Sequence, residues 1–296
     1  MNRILEYNIS RDYEGIKLSS YLEMMAYPSS ILKDLRKDAS LCKINKKDSY
    51  LNSIIHTGEH IEIYIKETVA NESLIPVQLD FDIVYEDEDI LLVNKPANMP
   101  IHQSINNYEN SLANALAYYY RNESSPFIFR CINRLDKDTS GLTLIAKNPL
   151  SAAILSKSMK ERQIKRTYTA IVEGIFNDKE GRIEAPIARK KESCIERCVD
   201  FENGQRAITN YKVIKELENS RSLVEFSLET GRTHQIRVHM KYLGHPLLGD
   251  ILYNPDDKTM ERQALHAGKL IFLHPIKLKE ITFKADYPDD MKNLIN

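Results

Sequence analysis

The run Ile132-Asn133-Arg134-Leu135-Asp136-Lys137-Asp138-Thr139-Ser140-Gly141-Leu142, continued by Thr143-Leu144-Ile145-Ala146-Lys147, decides the reading of this chain. An apolar segment of strand length follows directly on a polar cluster that ends in glycine. The cluster is therefore predicted on a turn between a short strand and a buried strand, with Asp136 held at a fixed position. A carboxylate beside an apolar strand needs a cationic or hydrogen-bonding partner, and arginine supplies parallel donors and a permanent charge. Such pairing keeps a carboxylate ionised, as a nucleophile or base requires. The same residues equally fit a salt bridge that only holds the turn, because structural ion pairs perturb carboxylates too. Asp138, Thr139 and Ser140 are expected to cap and shape the turn rather than react. Asp136 with Asp138 raises glycoside hydrolysis, although carboxylates this close in sequence match the geometry of that reaction weakly.

A second run, Gly231-Arg232-Thr233-His234-Gln235-Ile236-Arg237-Val238-His239, again sets arginine beside groups able to do chemistry. Residues 233–243 have helical spacing, with Ile236, Met240 and Leu243 on one face. His234 and His239 do not share a face as the histidines of an HExxH zinc site do, so no metal is expected. Cys42, Cys131, Cys194 and Cys198 lack zinc-site spacing and are expected to be reduced thiols.

The chain has 296 residues, which suggests about two domains. No apolar run approaches the roughly 18 residues of a membrane span, and the N-terminus lacks the layout of a signal peptide. A cytoplasmic protein is expected. The formal net charge of -1 carries no global mark of a nucleic-acid binder. The distribution differs. Arg130, Arg134, Lys137, Lys147, Lys157, Lys160, Arg162, Lys165 and Arg166 face only Asp136, Asp138 and Glu161, and local fields steer a polyanion. The acids gather in residues 67–89 as Glu67, Glu72, Asp80, Asp82, Glu86, Asp87, Glu88 and Asp89. That stretch reads as a linker near 67–78 with Pro76, then a hairpin of strands 81–85 and 90–94.

Ahead of the linker, residues 1–7 alternate as a strand, and 18–26 have helical spacing that stops before Pro28. Ser29 or Ser30 is expected to cap a helix over 31–37 carrying Lys33, Arg36 and Lys37 away from Ile31, Leu32 and Leu35. Strands follow at 41–45 and 60–65. Beyond the linker, helices are predicted at 110–120 and 151–162, and strands at 166–174, 209–217, 222–229, 269–273 and 280–285. Many strands with few helices between them argue for an α+β fold with a mixed, mainly antiparallel sheet. The expected domains are 1–70 and 71–296.

Residues 13–65 resemble the alpha-L RNA-binding domain of a small-subunit ribosomal protein and of many RNA-modifying enzymes. That family usually has glycine where this chain has Lys46 after Asn45. Residues 80–290 resemble the RluA-type RNA pseudouridine synthases in ordered blocks. These are Asn94-Lys95-Pro96 with Pro100-Ile101-His102, the Arg134 to Leu142 run, Lys165-Arg166-Thr167-Tyr168-Thr169-Ala170 with Glu173-Gly174, the Gly231 to His239 run, Leu247-Leu248-Gly249-Asp250 before Tyr253, Gln263-Ala264-Leu265-His266-Ala267, and His274-Pro275. Asn133 stands where histidine is common, and Gly268-Lys269 where a bulkier residue is usual.

The resemblance implies an isomerase that breaks the uridine N1 to ribose C1′ bond, turns the base and rejoins it through C5, with no cofactor. It implies Asp136 as the catalytic carboxylate, either attacking C1′ or taking the 2′ proton. Arg237 would pair with Asp136, Tyr168 would stack on the uracil near C5, and Arg134 would fill the space left by the flipped nucleotide. Lys95, His102, Arg232, His234 and Gln235 are expected to bind substrate, and Lys33, Arg36 and Lys37 to touch RNA. The expected partner is ribosomal or transfer RNA, and a monomer is expected. The other readings are an RNA-binding or ribosome-assembly factor without turnover, and a glycosidase or nucleosidase using Asp136.

Overall fold

In the computed structural model, which describes residues 2–67, 74–104, 107–123 and 126–295, the N-terminal alternation becomes strand β1 (Arg3–Asn8). Helices α1 (Leu18–Met24) and α2 (Ser29–Lys37) follow, then strands β2 (Cys42–Ile44), β3 (Lys47–Asp48) and β4 (His60–Ile65). The strands form one antiparallel sheet in the order β1-β4-β2-β3. Helix α2 buries Ile31, Leu32 and Leu35 and leaves Lys33, Arg36 and Lys37 exposed, as its spacing predicts. Its start differs from expectation: Pro28, in extended conformation, is the N-cap, and neither Ser29 nor Ser30 caps the helix. Helix α1 ends early because Ala26 turns the chain with φ 61.

Asn45 (φ 50) and Lys46 (φ 68) both adopt the left-handed conformation that a two-residue β2–β3 hairpin turn requires. Glycine takes that conformation without the steric cost that a Cβ brings. Lys46→Gly is therefore expected to raise stability by up to about 1 kcal/mol. A lower urea midpoint in the variant would show that the exposed lysine contributes something the turn geometry does not reveal.

The remaining elements are β5 (Asp82–Glu86), β6 (Ile90–Lys95), α3 (Leu112–Tyr119), β7 (Ser140–Ala146), α4 (Pro149–Lys160), β8 (Lys165–Glu173), β9 (Glu180–Glu184), β10 (Ile187–Arg189), β11 (Arg197–Val199), β12 (Ile208–Leu217), β13 (Arg221–Leu228), α5 (Gln235–Tyr242), β14 (Leu265–Leu273), β15 (Glu280–Lys284) and α6 (Asp289–Ile295). Strands β5-β6-β7-β14-β8-β13-β12-β9 lie side by side, with β15 paired to β14. Among the described residues β7 with β14 is the one parallel pair, so the sheet is mixed and mainly antiparallel, as expected. Every residue of β7 is buried, which its apolar run demands.

No strand precedes the Asp136 turn, contrary to expectation. Cys131 makes an isolated bridge to Ile145, and Asn133 does the pairing with its side chain. Its Nδ2 donates to the Leu142 carbonyl at 2.9 Å and its Oδ1 accepts from the Leu144 amide at 2.7 Å. A side chain with one donor end and one acceptor end serves this bridge. Strand β14 begins at Leu265, ahead of the expected Lys269, because its first residues pair with β7 before a bulge between His266 and Lys269. The Gly268-Lys269 departure lies in that bulge.

The two units are joined. Leu150 of α4 belongs to the N-terminal core with Leu18, Leu22, Leu35 and Ile63, and Ile154 and Ile276 pack on it. Arg3 Nε donates to the buried Asp89 at 3.0 Å, and Arg130 pairs with Glu67 at 2.6 Å. The expected boundary at residues 70 and 71, Glu72 and much of the expected linker lie outside the described residues. No helix among the described residues is long and apolar enough to cross a membrane.

Candidate active site

Gly141 sets where the Asp136 turn can sit. Its φ is +117, and a Cβ there would come within 2.4 Å of the Ala267 carbonyl oxygen, so β7 and β14 approach at this point only through glycine. The turn is then tied down. The Asp136 carbonyl accepts from the Thr139 amide at 3.1 Å, Lys137 O from the Met99 amide at 3.2 Å, and Asp138 O from Arg262 Nη1 at 3.3 Å. Thr139 Oγ1 accepts from Gln263 Nε2 at 3.2 Å and Ser140 Oγ bonds His266 Nδ1 at 2.9 Å, so these residues shape the turn, as expected.

The Asp136 side chain is 28% exposed and opens on a cavity of about 680 Å³. Arg237 Nη1 donates to its Oδ2 at 3.3 Å, while Arg237 Nε and Nη2 grip both oxygens of the fully buried Asp250 at 2.7 and 2.8 Å. Burial works against the Arg237 charge, but the bonds and charge of Asp250, with Asp136, outweigh it and raise the pKa. Asp250 also accepts from the Leu252 and Tyr253 amides, and the Arg237 guanidinium lies 5.0 Å from the Tyr253 ring centroid.

His234 begins α5 with a left-handed backbone, φ 59 and ψ 19, and its Nε2 lies 3.9 Å from Asp136 Oδ2. Its Nδ1 bonds the Tyr253 hydroxyl at 2.9 Å, and that hydroxyl also accepts from the Arg197 amide at 2.8 Å. Burial lowers the His234 pKa, against the pull of Asp136. A neutral ring results at neutral pH. Tyr168 stands buried on β8 and lines the same cavity; burial raises its pKa although the Arg166 charge opposes the rise, so the phenol keeps its proton. Arg134, Lys160, Arg162, Arg166 and Arg232 complete a basic lining whose acids are Asp136 and Glu229.

Not all expected site residues reach the cavity. Lys95 is 1% exposed, and its Nζ donates to the carbonyls of Pro96 (2.7 Å), Met99 (2.8 Å) and Lys137 (3.0 Å), so it ties the turn instead of binding substrate. Gln235 lines the cavity but is spent: its Oε1 accepts from Thr230 and the Arg232 amide, and its Nε2 donates to Ile208 O and Thr209. It positions the Thr230 to Arg232 loop. His102 is exposed, packs edge-on against Phe129 at 5.1 Å and is not part of the lining. Asp138 faces a different cavity beside Arg262 and Asp290, so it forms no catalytic pair with Asp136. His239 is buried between Thr209 and Ala185, away from His234's partners. The basic stripe is thinner than expected, because Arg130 is held by Glu67 and Lys147 by Glu86 at 2.6 Å. Sequence reasoning missed Asp250 and Tyr253 as the frame of Arg237, although both stand in the Leu247 to Tyr253 block.

Burial pulls the Lys95 pKa down to about 7. Its folded pKa lies below the unfolded value, so between pH 7 and 10 the unfolded chain binds more protons and this group adds stability as pH rises. Lys95→Met is expected to cost about 2 to 4 kcal/mol at pH 7 by stranding carbonyls, with the deficit against wild type growing toward pH 10. Urea melts across that range check both signs; a deficit that shrinks with pH contradicts the assignment.

A partly exposed carboxylate bonded by arginine, with a buried tyrosine in the same basic cavity, is equipped for nucleophilic or acid–base chemistry on an anionic substrate. Family comparison agrees: a profile of the RNA pseudouridylate synthase family matches residues 89–242. The chain is 40% identical to the uncharacterized RNA pseudouridine synthase YhcT of Bacillus subtilis (strain 168), over 99% of this chain and 96% of that protein. It is 40% identical to the ribosomal large subunit pseudouridine synthase D of Zymomonas mobilis, covering 79% of this chain and 77% of that one. The solved structure of human RNA pseudouridylate synthase domain containing 1 superposes with a TM-score of 0.60 at 27% identity, covering 70% of this chain and 83% of that chain. The chain belongs to the RNA pseudouridine synthase family and is an isomerase.

Proposed function

We propose that this enzyme isomerises uridines of ribosomal RNA, with Asp136 as the catalytic carboxylate, working as a single chain in the cytoplasm. The convergence of Asp136, Arg237 and Tyr168, from distant segments, on one basic cavity carries the assignment of roles. Asp136 either attacks C1′, to be displaced when C5 attacks the same carbon, or takes the 2′ proton and later returns it; on both routes the N1 to C1′ bond breaks, the base turns, a C5 to C1′ bond forms, and the proton lost from C5 is matched by one gained at N1. Tyr168 stacks on the uracil, Arg134 fills the vacated stack, and Arg232 and His234 border the substrate. The mechanism consumes no water, which separates it from glycoside hydrolysis. Release of free uracil would sink it. The name of the Zymomonas relative supports ribosomal over transfer RNA. Mapping pseudouridines in both RNAs from cells with and without the gene tests this: a site lost only from transfer RNA overturns the choice.

The N-terminal unit contributes phosphate contacts in this reading. Lys33 and Arg36 are exposed on α2 and unpaired among the described residues, while Lys37 reaches Asp34 at 3.4 Å. Phosphate contacts position RNA without choosing the base. Lys33→Gln with Arg36→Gln is expected to weaken RNA binding and lower the salt slope by about 0.7 to 0.9 per contact, with kcat on saturating substrate unchanged. An unchanged affinity and slope would reduce the unit to a structural appendage.

A further inference from the structure

Arg166 lines the cavity from β8, one strand period before Tyr168, so both side chains stand on the same face. Its Nε is buried without a hydrogen-bond partner, and among the described residues its guanidinium forms no ion pair. The group lies close to Gly231, where a Cβ would come within 3.3 Å of Nη1 and 3.5 Å of Nη2. Its neighbours are committed elsewhere. Arg237 serves Asp250 and Asp136, Arg232 Nε donates to the Arg206 carbonyl at 3.1 Å, and Glu229 is held by Arg182 and Asn210, each at 3.2 Å. A half-buried cation without a counter-charge carries a desolvation cost that a neutral partner such as the Tyr168 hydroxyl offsets only in part. An arriving anion would offset it, and the planar donor fork suits a phosphate.

We propose that Arg166 binds the phosphodiester adjacent to the reacting uridine, fixing the strand so that the uracil meets Tyr168 and the ribose meets Asp136. This rests on the function proposed above and extends it to one bond. Such a contact acts as an electrostatic clamp on the nucleotide while Asp136 does the chemistry. It is also salt-dependent, because each neutralised phosphate of a single strand releases about 0.7 counterion.

The test measures binding of a uridine-containing RNA stem-loop to protein carrying Asp136→Asn, so turnover does not enter. Arg166→Gln is expected to raise Kd about tenfold at low salt and to reduce the slope of log K against log salt by about 0.7. Its melting temperature should change little, since no ion pair is lost and the contact of the guanidinium with the Tyr168 hydroxyl is a minor one. Arg166→Lys should recover part of the affinity, because it keeps the charge without the fork. Replacing the phosphates flanking the target one at a time by neutral methylphosphonate should cost Asp136→Asn protein a similar factor at one position. That position should cost the Arg166→Gln protein nothing further. Equal methylphosphonate penalties with and without Arg166, or an unchanged slope, would overturn the contact and point to the uracil edge instead. Loss of pseudouridine formation by the otherwise unmodified enzyme would count against the function and leave this binding result standing.

Discussion

Asp136→Asn is expected to fold, to bind RNA, and to lose pseudouridine formation by about three orders of magnitude or more, the scale seen when an essential nucleophile is removed. The amide keeps the shape of the carboxylate and still accepts from Arg237, but it can neither attack C1′ nor take a proton. Stability should change little. Asp136 is partly exposed, and Arg237 keeps both bonds to Asp250 when Asp136 is neutral. RNA affinity should hold or tighten, because a negative charge leaves a cavity lined by Arg134, Lys160, Arg162, Arg166 and Arg232. Single-turnover assays on the mapped RNA measure the rate, and a filter-binding titration measures the affinity. Activity within about tenfold of wild type would remove Asp136 from the chemistry.

How much of this was legible depends on what each residue answers to. Strands such as β7, β8 and β13 could be read because each carries an apolar stretch of strand length that the fold buries, continuous in β7 and β8 and alternating over Val224 to Ser227 in β13. Strands β9, β10 and β11 could not: β9 buries only Ile183, and β10 and β11 are too short for any period to appear. Helix α6 escaped because it is short, acidic at its start and anchored from outside by Arg262, which grips Asp290 at 2.7 and 2.8 Å.

The site divides in the same way. Asp136, Tyr168 and Arg237 were legible from motif blocks, and the structure gathers them. The same blocks gave Lys95 and Gln235 to the substrate, whereas their polar atoms are taken up by other groups of the chain. A motif records that a donor is needed without saying whether substrate or chain receives it. The charge pattern misled for a related reason. The acidic stretch and the basic stretch were separate in sequence, but Glu67 meets Arg130 and Glu86 meets Lys147, so each cancels part of the other. Arg166 meets no acid among the described residues, and only the folded chain reveals that.

The second large effect is expected at Asp250, which touches no substrate. Its carboxylate is fully buried and meets Arg237 side-on while accepting the Leu252 and Tyr253 amides, so the arginine reaches Asp136 with its remaining edge already aimed. Asp250→Asn removes the charge and one of the two acceptors, so the buried Arg237 keeps Asp136, at 3.3 Å, as its one carboxylate among the described residues. Breaking one side of a buried pair costs about 3 to 5 kcal/mol, because the surviving charge is uncompensated. Arg237 should then swing to take more of Asp136, and kcat should fall about a hundredfold with KM changing less, as displacement of a group near the reacting centre predicts. A loss of activity from simple unfolding would look similar, so the variant needs a partner. In Asp250→Asn with Arg237→Met the stranded charge is gone, and the double variant should regain about 1 to 3 kcal/mol of the stability lost by Asp250→Asn alone. Its activity should stay low, because Asp136 has lost its arginine. Urea melts of the two single variants, the double variant and wild type yield the coupling energy. Strict additivity would show that Asp250 stabilises its loop independently of Arg237 and does not position it.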